Sequence, residues 1–102
     1  MTKLIAIYQQ PNNTAAFDDY YFNHHVPLAK TIPGLLSYEV TQGDVAGMAG
    51  KHGAYLVAIL GFESMATLQS ALASPQGQAA AADLANFAQA GVDLMMADTR
   101  MV

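Results

Sequence analysis

Apolar and polar positions along this chain switch repeatedly between a strand-like and a helical period, and the switches mark out its elements. Lys3–Tyr8 (KLIAIY) is a short apolar run that ends in the turn-rich cluster Gln9-Gln10-Pro11-Asn12-Asn13, which predicts a strand closed by a loop. Asn13 or Thr14 can cap the helix that follows, because a short side-chain oxygen accepts from the free amides of a first turn. Asp18 and Asp19 then fall early in that helix, where the dipole favours negative charge. On a helical wheel Phe17, Tyr20, Tyr21, His24 and Leu28 share one stripe, with His25 at its edge. Pro27 has no amide to donate and crowds the turn before it, so the helix should kink or restart near His25–Val26 and end by Pro33-Gly34. Leu35–Thr41 alternates, with Leu36, Tyr38 and Val40 on one face, and predicts a second strand. Gly43–Gly53 is glycine-rich and aperiodic, which predicts a loop.

The nearly continuous apolar run Ala54–Phe62 carries the mark of a strand covered on both faces. Ser64 can cap a helix over Met65–Ala73. Ser74-Pro75 breaks it and starts another, helical to about Phe87. Gly91–Met101 places Val92, Leu94, Met96 and Asp98 on one face and predicts a last strand. The order is β-α-β-β-α-β. That is an α+β, ferredoxin-like fold with a four-stranded antiparallel sheet. Two helical segments cover only one sheet face, yet strands 1, 3 and 4 are apolar on both. The economical cover for the second face is the same face of a second copy, which would make a homodimer with the architecture of a dimeric α/β barrel.

Composition points the same way. The chain has 102 residues, 53% of them hydrophobic and only 12% charged, about half the usual charged share of a globular domain. That length suits one domain, residues 1–102. Net charge is −4, with no basic stripe of the kind that tracks a phosphate backbone, so no nucleic-acid partner is expected. Apolar runs such as Tyr55–Leu60 fall far short of a bilayer span, and the N-terminus lacks the apolar core and cleavage site of a signal peptide, so no membrane partner is expected either. The absence of cysteine removes disulfides and thiolate chemistry, and is compatible with a cytoplasmic protein.

Polar side chains capable of chemistry concentrate in Phe17–Leu35. His25, beside the Pro27 bend, is the first candidate catalytic residue, since a neutral imidazole can serve as general base or acid. Its bland alternative is to cap carbonyls freed at the kink. Tyr21 lies one turn earlier and can reach the same patch, there to orient the imidazole or a substrate oxygen, or simply to fill the core. Tyr38, on the next strand, can face the same cavity. Phe17, Leu28 and His24, on or beside the stripe, complete the candidate substrate-binding set, although His24, like Tyr20, also suits a surface or structural role. A metal site is not expected: His24 and His25 are adjacent and diverge by about 100° on a helix, and His52 stands in a glycine loop. No phosphate loop, dinucleotide fingerprint or nucleophile elbow is present, so no cofactor is expected.

The segments FDDYYFNHHVPLAKTIPGLLSYEV, LASPQGQAAAADLANFA and GVDLMMAD resemble the EthD domain family, named for ethyl tert-butyl ether degradation. The most specific pieces are His25-Val26-Pro27-Leu28-Ala29, Ile32-Pro33-Gly34 and Ser74-Pro75-Gln76-Gly77. The resemblance spans nearly the whole chain and implies the dimeric α+β barrel superfamily. It also implies His25 as the motif histidine, and a cleft between helices and sheet for a small aromatic or lactone molecule. Relatives in that superfamily include cofactor-free quinol monooxygenases, muconolactone isomerase and polyketide cyclases. The expected function is therefore binding of a small hydrophobic metabolite, with cofactor-independent oxidoreductase or proton-transfer chemistry on a His/Tyr pair. The alternatives are a cyclase or lactone isomerase, a non-catalytic accessory protein that holds a metabolite for a partner oxygenase, and a structural dimer with a filled interior.

Overall fold

The structure, a computed structural model, describes residues 1–102. Its elements are β1 (Thr2–Gln9), α1 (Thr14–Tyr20), a π-helical turn (Tyr21–His25), α2 (Val26–Ala29), β2 (Ser37–Val40), β3 (Ala54–Phe62), α3 (Met65–Ala73), α4 (Pro75–Phe87) and β4 (Val92–Asp98). The sheet order is β2-β3-β1-β4, every neighbouring pair antiparallel. This is the ferredoxin-like βαββαβ arrangement, with each helical half broken into pieces. No helix is long and apolar enough to cross a membrane.

Local chemistry sets the helix starts. The Asn13 side chain accepts from the Ala16 amide, Ser64 from Thr67, and Ser74 from Gly77. Pro75 opens α4, where its missing N–H costs nothing. Asp18 and Asp19 lie beyond the first turn of α1, so they do not complement its dipole. Instead the Tyr55 hydroxyl donates to Asp18 and the Asn23 amide to Asp19.

The restart expected near Pro27 takes the form of a π turn. Val26 N–H donates to the Tyr21 carbonyl, five residues back, and Pro27 falls in the first turn of α2. This changes which residues point inward. In an α-helix every fourth side chain over-rotates by roughly 40°. The wider π turn takes that drift back, so the buried stripe is Phe17, Tyr21, His25 and Ala29. His24 faces solvent and Leu28 is only half-buried.

Strand register decides the two sheet faces. Leu4 stands between Leu60 and Met96, Ala6 between Ala58 and Leu94, and Tyr8 between Leu56 and Val92. All of these lie on the helix side, and those on β1 and β3 join Phe17, Tyr21, Leu68, Ala80 and Phe87 in the core, while Leu94 and Met96 stay half-exposed at the sheet edge. A bulge opposite Tyr8 and Gln9 admits one extra residue on β3 and turns Tyr55 toward α1, where its ring packs edge-on against Phe17. The alternate residues Ile5, Ile7, Val57, Ile59 and Met95 form the opposite face. None of them is fully buried, and Met95 is 44% exposed.

Candidate functional site

A cavity of about 290 Å³ lies between the helices and the sheet. Alanines make the room: Ala6 and Ala58 from the sheet, and Ala29, Ala80 and Ala81 from the helices. Leu4, Leu60, Leu84 and Ile32 supply most of the remaining apolar wall. Leu94 and Met96 of edge strand β4 border it and stay half-exposed. The polar side chains on the wall belong to Tyr8, Tyr21, Tyr38 and His25.

The tyrosines form one group. The Tyr21 and Tyr38 hydroxyls are 2.6 Å apart, and either can donate. Tyr8 meets Tyr21 edge-on at 5.4 Å between ring centroids. Burial pushes the Tyr21 phenol far above its ordinary value, and the neighbouring Tyr38 and Tyr8 add to the rise. Burial likewise raises Tyr8 and Tyr38. All three are therefore neutral hydroxyls at any ordinary pH; one of the Tyr21–Tyr38 pair donates to the other, which leaves the second member of the pair and Tyr8 with a proton to offer a ligand.

His25 stands on the helical side of the same cavity, its ring 5.5 Å from Tyr21 and 4.7 Å from Phe87. Its Nδ1 lies 2.9 Å from Asp83 Oδ2. Burial by itself would raise the Asp83 pKa, but hydrogen bonds from Tyr20, Asn86 and His25 outweigh it and hold the carboxyl below its usual range. An ionised carboxylate only accepts, so Nδ1 carries a proton, and in the neutral ring Nε2 carries the lone pair. Nε2 has no partner within the protein, and no buried side-chain nitrogen is left unpaired. Nε2 therefore keeps accessible surface, on a residue that lines the cavity.

The expected site residues thus divide. Tyr21, Tyr38 and His25 come together on one cavity wall. Phe17, Leu28 and His24 do not line it. Phe17 is locked behind the wall in an aromatic cluster, stacked on Tyr21 and edge-on to Tyr8 and Phe87. Leu28 yields the inward position to Ala29 because of the π turn. His24 packs outside against Tyr20, at 4.9 Å. Two residues escaped the reading of the sequence. Tyr8 could have been found from strand parity, which places it with Leu4 and Ala6. Asp83 could have been suspected as the sole charged residue of α4. No three His, Cys, Asp or Glu side chains group closely enough to hold a metal ion.

Comparison with known proteins places the chain in a family. The EthD domain matches residues 9–91. The chain belongs to the EthD domain family. An uncharacterized 11.0 kDa protein from the thcB-thcC intergenic region of Rhodococcus erythropolis is 40% identical to this EthD protein over 102 residues, covering 100% of this chain and 98% of the relative. The crystal structure of an EthD family protein from Bacillus halodurans superposes with a TM-score of 0.89 at 37% identity, covering 98% of this chain and 99% of that one. SnoaB, a cofactor-independent oxygenase from Streptomyces nogalater, shares the fold with a TM-score of 0.69 at 15% identity, over 99% of this chain and 94% of its own. A dimeric ferredoxin-like protein of unknown function from Thermobifida fusca does so as well, with a TM-score of 0.69 at 16% identity over 96% and 90%.

Proposed function

We propose that this EthD domain protein binds a small, flat, apolar molecule carrying an acidic hydroxyl, a phenol or enol, and takes the hydroxyl proton on His25. The observation that carries this reading is the composition of one cavity wall: a histidine held at Nδ1 whose Nε2 has no partner within the protein, and neutral tyrosine hydroxyls, in otherwise apolar surroundings. A base beside hydroxyl donors is what an ionising phenol requires. The base receives the proton, and the donors hold the oxyanion left behind. At about 290 Å³ the space is at the small end for ligand sites and fits on the order of two fused rings.

The anion so formed is electron-rich. It is the form that isomerises, cyclises or reacts with dioxygen without a cofactor, and SnoaB gives a precedent for cofactor-independent oxygenation on this fold. We further propose that the protein works as a homodimer, joined through the sheet face that its helices leave open. The Thermobifida fusca protein on the same fold is dimeric.

The probe is 4-nitrophenol, with nitrobenzene as its counterpart without a hydroxyl. In mildly acidic buffer, where free 4-nitrophenol is neutral, the bound probe should show the nitrophenolate band, and His25→Gln should abolish the band. Ala58→Leu, which fills the cavity, should abolish binding of both probes. Binding without ionisation would leave a carrier rather than a base. Binding that survives Ala58→Leu would place the ligand elsewhere and end the proposal.

A further inference from the structure

We infer that Asp83 is a positioning residue, which fixes His25 in the Nδ1–H tautomer and so aims a lone pair, not a proton, at the cavity ligand. This rests on the reading of His25 as the base. The carboxylate is itself held at several points. Oδ2 faces His25 Nδ1 at 2.9 Å, while Oδ1 accepts from the Tyr20 hydroxyl at 2.6 Å and from Asn86 Nδ2 at 2.9 Å. These partners come from two parts of the chain: Tyr20 ends α1, and Asn86 sits one turn beyond Asp83 on α4. Their hydrogen bonds leave the carboxylate little freedom to rotate, and Asp83 and His25 are 9% and 6% exposed.

Two consequences follow for a neutral histidine. An imidazole in water exchanges freely between its tautomers, and the Nε2–H form would present a donor where the proposed reaction needs an acceptor. A fixed carboxylate at Nδ1 removes that competing form. It also stands ready, from outside the cavity, to stabilise the imidazolium once the ligand proton has arrived. Asp83 does not line the cavity, so it acts through His25 alone.

The test uses the full chain and two readouts. The first is the nitrogen-15 signature of the His25 ring, assigned by its disappearance in His25→Gln. The native protein should show a protonated Nδ1 and a bare Nε2, and Asp83→Asn should move part of the population to Nε2–H. A ring that stays wholly Nδ1–H in Asp83→Asn overturns the inference. The second readout is probe affinity. Loss of a hydrogen bond to a charged partner corresponds to roughly tenfold or more, so Asp83→Asn should bind 4-nitrophenol about tenfold more weakly and lose the nitrophenolate band. Nitrobenzene affinity should stay unchanged, and equal weakening of both probes would mean a merely structural role. Should Asp83→Asn fail to fold, Tyr20→Phe decides, because it removes one anchor and leaves the carboxylate. A several-fold loss confined to 4-nitrophenol supports positioning, and unchanged affinity for both probes refutes it. If the native protein binds neither probe, the proposed function falls, while the tautomer measurement still decides the role of Asp83.

Discussion

Tyr8, Tyr21 and Tyr38 gather on one cavity inside this small protein, and their ionisation is tied to its folding. All five tyrosines have raised pKa values relative to an ordinary 10.0. Burial is the first cause for Tyr8, Tyr21, Tyr38 and Tyr55, and the hydrogen bond to Asp83 for Tyr20. A group whose folded pKa is raised stabilises the fold fully below its unfolded value, and that contribution is lost as pH rises through the folded value. Asp83 behaves oppositely. Its depressed pKa stabilises above 3.8, and this is lost as pH falls through the folded value. Both of these contributions are therefore complete between the two limits. A spectrophotometric titration should show tyrosinate emerging only above pH 10, together with loss of helical circular dichroism. Tyrosines ionising at the ordinary value in an intact fold would contradict the buried hydroxyl group. At this scale the sequence was only partly legible. His25 and Tyr21 stood out because they share one dense polar stretch. Asp83, 58 positions from His25, is brought to it by the packing of α4 on the helical segment, which no local pattern encodes.

Elements were read more securely, since their signals are local. The caps at Asn13, Ser64 and Ser74, the proline opening α4 and the continuous apolar run of β3 each act over a few residues. Strands β2 and β4 prove shorter than their alternating patterns: Ser37–Val40 and Val92–Asp98 pair in register, and the flanking Leu36, Thr41, Gly91 and Thr99 keep only single backbone hydrogen bonds across the sheet. The π turn was invisible, as its extra residue leaves no periodic trace and yet moves the inward stripe. The junction of α3 and α4 gives a sharper test of element packing. A Cβ on Gly77 would stand 2.1 Å from the Ala71 carbonyl oxygen and 2.7 Å from the Leu72 Cα, both backbone atoms that no rotamer change can move. Gly77→Ala should therefore destabilise the fold by about 1–3 kcal/mol or more, as overpacking does. Gly61→Ala meets chiefly the Ser37 hydroxyl, the end of a side chain that can rotate, and should cost less. Urea midpoints of the two variants measure the difference, and equal midpoints would show that the α3–α4 junction yields.

At the scale of the molecule, helices protect one side of the sheet and leave the other with Ile5, Ile7, Val57, Ile59, Met95 and Ala97. Charge on that side is confined to Lys3 near the end of β1 and to Glu39 and Asp93 on the edge strands. An apolar centre ringed by a few charges is the layout of a surface that meets another protein surface. Its parity alternation was visible in the sequence, because a strand apolar at both even and odd positions has to bury both faces. A second copy offers the same shape and the same twist, so two sheets can pack face to face about a twofold axis. The expectation is a particle of twice the 10.8 kDa chain mass by light scattering at micromolar concentration. Ile59 lies on the central strand β3, where Glu39 of β2 is its register partner. Ile59→Lys would bring two lysines toward each other across the twofold interface, or leave each facing apolar neighbours, and should yield a monomer with a lower thermal midpoint. Ile59→Leu should preserve the dimer. A native protein that remains monomeric at that concentration, with an undiminished thermal midpoint in Ile59→Lys, would show that water alone covers this face.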